Sequence, residues 1–304
     1  MRDATNPLSP WGEGQGEGVP GIKGKIPPHP HPLPGGRGSP PPATATAEEA
    51  ATTNGHAGDA SYWERALARE GESARAAEAW DGFSLLGRCA RRVFCLASRV
   101  LMRSYLHQRV EGLEHLPRGA AFILVANHSS HLDTVAVQVA LDGAGLPLRV
   151  IGARDYFFNA APKAWFFHNC VHVLPLDREE DPRSGLLTCR EVLARGTSLL
   201  VFPEGTRSPT GRMGPFKAGA GILALELDVP LVPVAITGTF AALPKGRRWP
   251  RHARVTVRFG APLSMSRWRS RKGTVPAREL YREIMEAVRQ EIIRLLPEEK
   301  GPEA

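Results

Sequence analysis

The sequence predicts an α/β fold in which helices flank a mostly parallel β-sheet. From about residue 107 onward, short apolar runs alternate with helix-like segments. The apolar runs are rich in Val, Ile and Leu and are not interrupted by polar residues, which is typical of parallel strands buried on both faces. Strands that alternate with helices along a chain indicate a parallel sheet between layers of helices.

The first part of the chain does not fit this pattern. Gly and Pro dominate residues 6–42, in fragments such as PPHPHPLPGGRG, and aliphatic residues are scarce there. Such a segment buries too little apolar surface to offset the entropy that it loses on ordering. We therefore expect residues 1–60 to be a disordered tail. The segment also lacks the apolar core and cleavage-site pattern of a secretory signal.

Charge favours an anionic partner for the rest of the chain. Residues 83–304 contain 32 Lys and Arg against 20 Asp and Glu, whereas the whole chain has a net charge of +8. Such an excess favours nucleic acid, anionic lipid or a phosphate-bearing substrate. The sequence has no zinc-finger spacing and no aromatic-rich platform for single strands, so lipid is favoured and nucleic acid is not expected.

The cysteines do not indicate a metal site or a disulfide framework. None of them forms a C-x-x-C pair or another spacing typical of zinc ligands. We expect free thiols, as in a reducing cytoplasm. The four positions are Cys89, Cys95, Cys170 and Cys189.

A basic amphipathic helix is predicted ahead of the α/β region, within residues 61–106. The stretch WDGFSLLGRCARRVFCLASRVLMRSYL, residues 80–106, combines apolar residues at helical spacing with arginines. Such a helix can lie in a membrane interface, or it can be a surface helix that packs on the domain by its apolar stripe. No apolar run reaches the roughly 18 residues of a spanning helix. The stripe consists of Leu85, Leu86, Cys89, Val93, Phe94, Leu96, Val100 and Leu101.

The α/β region divides into six predicted strands and the helices between them. Each strand is a short apolar run, and the helix before the fourth strand ends at Gly196, a residue that is common at helix ends. The predicted strands cover residues 120–127, 148–153, 171–176, 198–203, 231–237 and 253–260. The predicted helices cover 130–141, a segment that contains KAWFFHN, 183–195, 217–227 and 275–296.

Two polar clusters follow predicted strands at the point where each strand ends. The first cluster is NHSSHLD, residues 127–133, and the second cluster is FPEGTRS, residues 202–208. In open α/β sheets, ligands bind beyond the carboxyl ends of the strands. We therefore expect the two clusters to face one cleft, where a base and several cations converge.

The first cluster can supply a general base. His128 and Asp133 are five positions apart, so they meet only if His128 lies in the turn before a helix and Asp133 lies in its first turn. Ser129 or Ser130 can be the N-cap of that helix. A carboxylate that holds one imidazole nitrogen protonated leaves the other free to accept a proton, which is the arrangement of acyl-transfer sites.

The sequence offers no nucleophile of its own for this base. It has no G-x-S-x-G turn, and none of its cysteines lies in an activating motif. The base would then deprotonate the hydroxyl of an acceptor substrate directly. His131, three residues after His128, raises a metal site as a second interpretation, but no further ligand motif accompanies it.

The second cluster can supply an anion site. Arg207 lies in a glycine-containing turn, and a guanidinium grips phosphate with two parallel hydrogen bonds. Glu204 is close enough along the chain to orient Arg207, and Arg212 and Lys217 follow. A solvated turn with an incidental ion pair remains an alternative for this cluster when it is considered alone.

Together these motifs resemble the glycerolipid acyltransferase family, which includes 1-acylglycerol-3-phosphate acyltransferases. NHSSHLD (127–133) matches the family's H-x4-D box, and FPEGTRS (202–208) matches its E-G-T-R box. HVLPLDR (172–178) resembles the middle block that ends in Arg, and VPLVPVAITG (229–238) resembles the fourth, proline-bearing block. The resemblance extends over residues 105–265, with the four motifs in the family's order.

The resemblance implies a role for each matching residue. His128 is implied to be the general base, Asp133 is implied to orient it, and no metal is implied. In the segment GARDYFF, Arg154 stands where the family often has lysine, which keeps the charge but changes the reach. The residues implied to bind the glycerol-phosphate acceptor are Glu204, Gly205, Thr206, Arg207, Arg178 and Arg154.

The resemblance also implies the activity and the surroundings of the protein. The expected reaction transfers an acyl chain from acyl-CoA or acyl carrier protein, as co-substrate, to lysophosphatidic acid, and the enzyme needs no cofactor. Other lysolipids, glycerol 3-phosphate or an amino-acid lipid are alternative acceptors, and a non-catalytic lipid-binding homologue is a further possibility. We expect a peripheral or monotopic protein on the cytoplasmic side of a membrane. Its parts would be the tail, a membrane-associating segment (61–106) and an acyltransferase domain (107–298).

Overall fold

A seven-stranded sheet forms the centre of the molecule. The computed structural model describes residues 85–142, 144–176 and 182–297. Within them the strand order is β1-β7-β6-β2-β5-β3-β4. The strands are β1 (Arg109–Glu111), β2 (Ile123–Ala126), β3 (Leu148–Ala153), β4 (Val173–Leu176), β5 (Ser198–Val201), β6 (Leu231–Thr237) and β7 (Thr256–Phe259).

Five neighbouring strands run in the same direction, and the two strands at the β1 end of the sheet run against them. β6, β2, β5, β3 and β4 are mutually parallel. β7 pairs antiparallel with β6, and β1 pairs parallel with β7. The predicted α/β fold with a mostly parallel sheet is confirmed, and the carboxyl ends of β6, β2, β5 and β3 lie side by side at one edge. The sequence did not predict β1, which has only three residues.

Helices cover both faces of the sheet. Two of them, α1 and α4, continue into one wider turn each, at Leu101–Tyr105 and Phe167–Val171. The helices are α1 (Leu85–Val100), α2 (Leu132–Leu141), α3 (Arg154–Phe157), α4 (Ala161–Phe166), α5 (Pro182–Ala194), α6 (Gly219–Leu227), α7 (Thr239–Ala242), α8 (Ser266–Arg269) and α9 (Ala277–Leu295). A short 3₁₀ turn, Leu113–His115, follows β1.

The alternation of side chains along β2 divides the apolar interior into two cores. Ile123 and Val125 pack against α5, α6 and α9, whereas Leu124 and Ala126 pack against α2. All four side chains are fully buried. Burying a side chain such as Ile or Leu contributes about 1.5–3 kcal/mol, so both faces of this strand hold the layers together. The strand is thereby fixed as the central support of the loop that follows it.

The helix α1 contacts the domain with one face and exposes the other. Gly87 and Ser98 are buried, and Arg91 donates a 2.6 Å hydrogen bond from Nη1 to the carbonyl of Cys170. The predicted apolar stripe is largely exposed, as at Leu85 and Val93, which are 71% and 69% exposed. The stripe therefore packs on the domain only in part, through residues such as Phe94 and Leu101, and most of it is exposed. Among the described residues, no helix has the length and apolar character needed to cross a membrane.

Part of the sequence-based picture lies outside the described residues. This applies to the predicted tail, residues 1–60, to residues 61–84 of the helical segment, and to Arg178 of the middle block. The predicted boundaries between tail, helical segment and domain stay predictions.

Candidate active site

Asn127 fixes the loop that leaves the carboxyl end of β2. Its Nδ2 donates to the carbonyl of Ile236 at 2.9 Å, and the N–H of Ile236 donates to its Oδ1 at 2.8 Å. The side-chain amide therefore replaces the pair of backbone hydrogen bonds that a further residue of β2 would form with β6. Both bonds are buried, where an amide pair is stronger than at the surface. This anchor sets the starting point of the first cluster, and the sequence analysis did not assign it a role.

The predicted pair of His128 and Asp133 is formed. His128 Nδ1 lies 2.9 Å from Asp133 Oδ2, and the Asp133 side chain is 0% exposed whereas that of His128 is 16% exposed. A carboxylate accepts hydrogen bonds, so Nδ1 carries the proton and Nε2 carries the free lone pair. The imidazole is therefore in the tautomer that a base requires, and it is accessible to a substrate.

Two backbone groups hold the Asp133 carboxylate in place. Oδ2 also accepts the N–H of Ser129 at 2.7 Å and the N–H of Ser130 at 2.8 Å. The N-cap of α2 is His131 and not Ser129 or Ser130 as predicted, but Ser130 Oγ accepts the N–H of Leu132, the first residue of the helix, at 3.1 Å. The start of α2 is therefore held by Ser130 and Asp133 together. The turn before α2 is rigid at the position where His128 needs a fixed orientation.

Phe202 packs against one face of the His128 imidazole. Its ring is stacked on that of His128, with centroids 4.0 Å apart and an interplanar angle of 21°. Phe202 directly follows β5, the neighbour of β2 in the sheet. Stacking of this kind restricts the ring to one plane. The sequence contained Phe202 within the second cluster, but its spacing of 74 residues from His128 gave no signal for the contact.

The two clusters are joined by backbone hydrogen bonds. The N–H of His128 donates to Glu204 Oε1 at 2.8 Å, and the N–H of Ser208 donates to the carbonyl of His128 at 2.8 Å. Glu204 Oε2 accepts the N–H of Gly214 at 3.0 Å. The expectation that both clusters face one site is thus met by direct contact.

Glu204 does not orient Arg207, contrary to the sequence-based expectation. Both of its carboxylate oxygens accept backbone N–H groups, from His128 and Gly214. Burial raises the pKa of Glu204 above its usual range, and the two N–H groups oppose this shift. Glu204 thus links its own turn to the loop of His128 and to the segment that contains Gly214. Its role in binding the acceptor stays a prediction.

The rest of the second cluster forms a tight turn that presents Arg207. Gly205 has φ = +73°, a conformation that residues with a side chain rarely adopt, and its N–H donates to the carbonyl of Phe202 at 3.1 Å. Thr206 is exposed and Arg207 is half-buried. The turn therefore projects Arg207 beside the first cluster, where its charge lowers the pKa of His131.

His131 contacts a neighbour from the β3 loop instead of the base. Its Nε2 is 3.2 Å from the Tyr156 hydroxyl, and the two rings are stacked with centroids 6.1 Å apart. Desolvation, followed by the charges of Arg207 and His128, lowers the pKa of His131 to about 4. The described residues contain no group of three or more His, Cys, Asp or Glu arranged to hold a metal ion.

Arg154 lies at the same edge of the sheet as the two clusters. It is the first residue of α3, directly after β3, and its side chain is exposed. Because β3 pairs with β5, the loop after β3 adjoins the second cluster. This location is consistent with a contact to the acceptor, which stays a prediction for Arg154 and for Arg178.

Acidification is expected to destabilise the fold between about pH 6.5 and 3. Burial and the charges of Arg91 and Arg149 lower the pKa of His172 to about 3, and that of His131 is about 4, against an ordinary value of 6.5. The unfolded chain therefore binds more protons in this window, so the free energy of unfolding falls as pH falls and levels off below the folded-state pKa values.

Urea unfolding at several pH values would measure this slope. His172 has φ = +59°, so asparagine, which tolerates that conformation, is the suitable replacement. The His172→Asn variant is expected to show a shallower pH dependence than the wild type. Equal slopes of unfolding free energy against pH in the wild type and the variant would contradict the assignment of this pH dependence to His172.

Comparison with known proteins identifies a matching family model. Residues 107–237 match the model described as Acyltransferase. The matched segment begins before β1 and ends at the last residue of β6, so it contains both clusters and the five parallel strands.

Similar curated proteins carry one activity in their names. The chain is 38% identical over 141 residues to a chloroplastic 1-acyl-sn-glycerol-3-phosphate acyltransferase of Brassica napus, covering 45% of this chain and 39% of that protein. It is 30% identical over 164 residues to a protein of the same name from Limnanthes douglasii, covering 53% and 56%. The human alpha form is 31% identical over 159 residues, covering 50% and 54%. The chain thus matches between about two fifths and just over half the length of these relatives.

A solved structure resembles the chain over a larger part of its length. The crystal structure of the 1-acyl-sn-glycerophosphate acyltransferase PlsC from Thermotoga maritima superposes with a TM-score of 0.50 at 27% sequence identity. The superposition covers 67% of this chain and 80% of that protein.

Proposed function

We infer that this chain, whose residues 107–237 form an acyltransferase domain of the glycerolipid acyltransferase family, transfers an acyl chain from a thioester to lysophosphatidic acid. The product would be phosphatidic acid. The observation that carries this proposal is the 2.9 Å contact between His128 Nδ1 and Asp133 Oδ2, formed beside the arginine-bearing turn of the second cluster.

The geometry supports direct transfer of the acyl group from the thioester to the acceptor, without a covalent acyl-enzyme intermediate. His128 Nε2 removes the proton from the free glycerol hydroxyl of the acceptor, and the oxygen attacks the thioester carbonyl. The C–S bond then breaks, the ester forms, and the thiol of the carrier leaves after it takes up the proton. The buried Asp133 carboxylate stabilises the imidazolium while it holds the proton.

The second cluster supplies the position of the acceptor. A guanidinium at Arg207 suits a phosphate monoester, because it can donate two parallel hydrogen bonds to its oxygens. Holding the phosphate at this turn brings the hydroxyl of the same molecule to His128. Orientation of this kind can lower a barrier by several kcal/mol.

The donor and the location complete the proposal. Acyl-CoA or acyl carrier protein serves as acyl donor, and no metal or cofactor takes part. The acceptor reaches the site from a membrane, and the exposed apolar stripe of α1, which ends beside the carboxyl edge of the sheet, supports peripheral or monotopic attachment. The cytoplasmic side is part of the proposal.

Arg207→Ala is expected to raise KM for lysophosphatidic acid about 10- to 100-fold, since hydrogen bonds to charged groups contribute about 1.5–3 kcal/mol. The KM for an acceptor without phosphate, such as a monoacylglycerol, should change far less. Steady-state kinetics with both acceptors measures the difference. Arg118→Ala, at the opposite edge of the sheet, is the control and should change neither value.

An acceptor panel tests the function as a whole. Release of free thiol from acyl-CoA is followed with lysophosphatidic acid, glycerol 3-phosphate, lysophosphatidylcholine and an amino-acid lysolipid. The largest kcat/KM is expected with lysophosphatidic acid. A preference for another acceptor would overturn the substrate assignment, and no thiol release with any acceptor would overturn the enzymatic one.

A further inference from the structure

A basic loop lies next to the candidate active site and is not used by the proposed mechanism. The basic loop is defined here as residues 245–254, KGRRWPRHAR, which contain five Lys and Arg and no acidic residue. Its cationic side chains are all exposed. They are Lys245, Arg247, Arg248, Arg251 and Arg254.

The arginines of the basic loop contrast with several arginines elsewhere in the described chain. Several exposed or half-buried arginines elsewhere, though not all of them, pair with carboxylates, as Arg258 does with Glu111 at 2.7 Å and Arg269 with Asp228 at 3.2 Å. In the loop, the side-chain bond formed by Arg247 goes to the carbonyl of Trp249 at 3.1 Å, which leaves its charge uncompensated. The loop therefore presents a positive surface to an external anion.

Trp249 gives this surface an apolar tip. Its side chain is 79% exposed, more than any other large apolar residue in the described part of the chain. An exposed indole surrounded by arginines is unfavourable in water, whereas it suits the interface of a bilayer, where aromatic rings lie at the level of the headgroups. The composition thus favours a lipid surface over an acidic protein.

The position of the basic loop supports the same partner. The loop joins α7 to β7 at the carboxyl edge of the sheet, and Ser130 Oγ, in the first cluster, donates to the carbonyl of Leu243 just before it at 2.7 Å. At its other end, His252 lies against Tyr105, with ring centroids 5.8 Å apart. Tyr105 ends the wider turn that extends α1. The basic loop therefore lies between the candidate active site and the helix that bears the exposed apolar stripe.

We propose that the basic loop is a docking surface for the anionic headgroups of a membrane and holds the active-site edge against the bilayer. The arginines contact lipid phosphates, and Trp249 inserts among the headgroups. The loop thereby brings the active site to the surface that contains the lysolipid. The effect of the loop on turnover rests on the proposed function, whereas the binding of the loop to lipid is independent of that function.

Vesicle sedimentation with the full chain tests the docking surface. The probes are vesicles of phosphatidylcholine with and without phosphatidylglycerol. Each basic residue near an anionic bilayer contributes about fivefold in affinity, so the triple variant Arg247→Gln, Arg248→Gln, Arg251→Gln should bind the anionic vesicles on the order of 100-fold more weakly. Trp249→Ala should weaken binding to both kinds of vesicle. Added salt should weaken wild-type binding more than that of the triple variant.

The control variant loses the same charge at other exposed sites: Arg118→Gln, Arg278→Gln, Arg282→Gln. It should bind anionic vesicles nearly as tightly as the wild type. Equal binding by the control and the loop variant would overturn the proposal. A second result would also overturn it: the wild type binds acyl carrier protein, and the loop variant loses this binding but still binds vesicles like the wild type. The surface would then be a site for an acidic protein.

Acyl transfer separates this proposal from the proposed function. With a short-chain lysophosphatidate dissolved as monomers, the loop variant should turn over like the wild type, and only with vesicle-bound acceptor should it be slower. A wild type that is inactive in both assays would contradict the proposed function, and the sedimentation result would still decide the docking surface.

Discussion

Replacing His128 by alanine is expected to lower kcat for acyl transfer by about 10²- to 10⁴-fold, the usual contribution of a positioned general base. The imidazole is the group that takes the proton of the acceptor hydroxyl in the proposed reaction, and its Nδ1 is already engaged by Asp133. KM for the acceptor should change little, because Arg207 still holds the phosphate. Thiol release from acyl-CoA under saturating lysophosphatidic acid measures kcat.

The fold should survive this substitution. The backbone N–H of residue 128 still donates to Glu204, and Asn127 still anchors the loop to β6. His131→Ala, in the same cluster, is the matched control and should retain turnover of the wild-type order. Near-wild-type turnover by the His128→Ala variant would remove the base from the mechanism.

The second large effect is expected at Asp133. Asp133→Asn keeps an oxygen for the N–H groups of Ser129 and Ser130 but replaces the charge that stabilises the imidazolium and fixes the tautomer of His128. We expect kcat to fall by about 10²- to 10⁴-fold, as when the carboxylate of a catalytic triad is neutralised.

Asp133→Ala is expected to reduce stability as well as activity. It leaves the two N–H groups without their acceptor, and each buried unsatisfied group costs about 1–3 kcal/mol, partly offset because a buried charge is removed. Urea unfolding would show a lower midpoint for the alanine variant than for the asparagine variant. Equal midpoints would contradict the structural role of the side-chain oxygen, and an asparagine variant with normal kcat would contradict the catalytic role of the charge.

The regular elements could be predicted because local burial leaves a local pattern. Residues 148–153 and 231–237 were predicted as strands, and the structure gives strands with the same bounds. The strand predicted at 120–127 is shorter, Ile123–Ala126, and it ends before Asn127 because that residue bonds β6 through its side chain. An apolar run in the sequence reveals which residues are buried. It does not reveal that a polar side chain at its end replaces the backbone hydrogen bonds of the strand.

The direction and order of the strands could be predicted only in part. β7 was predicted as a strand, but its antiparallel pairing with β6 depends on the return path of residues 243–255, which has no periodic pattern. β1 has an exposed, half-buried, exposed succession over three residues, too short for any period to be detected. The directions of β1 and β7 are set by the strands beside them in the sheet.

The sequence by itself determined the alternation of buried strands and helices, and the His128 to Asp133 spacing that permits a base and its orienter to meet. These features are local, because side-chain periodicity and a five-residue separation act within one turn or one strand. Only the tertiary structure decided that Phe202 supports the imidazole, and that Glu204 joins the loops and does not pair with Arg207. These contacts join residues more than 70 positions apart, and they depend on β2 lying beside β5, which no local pattern specifies.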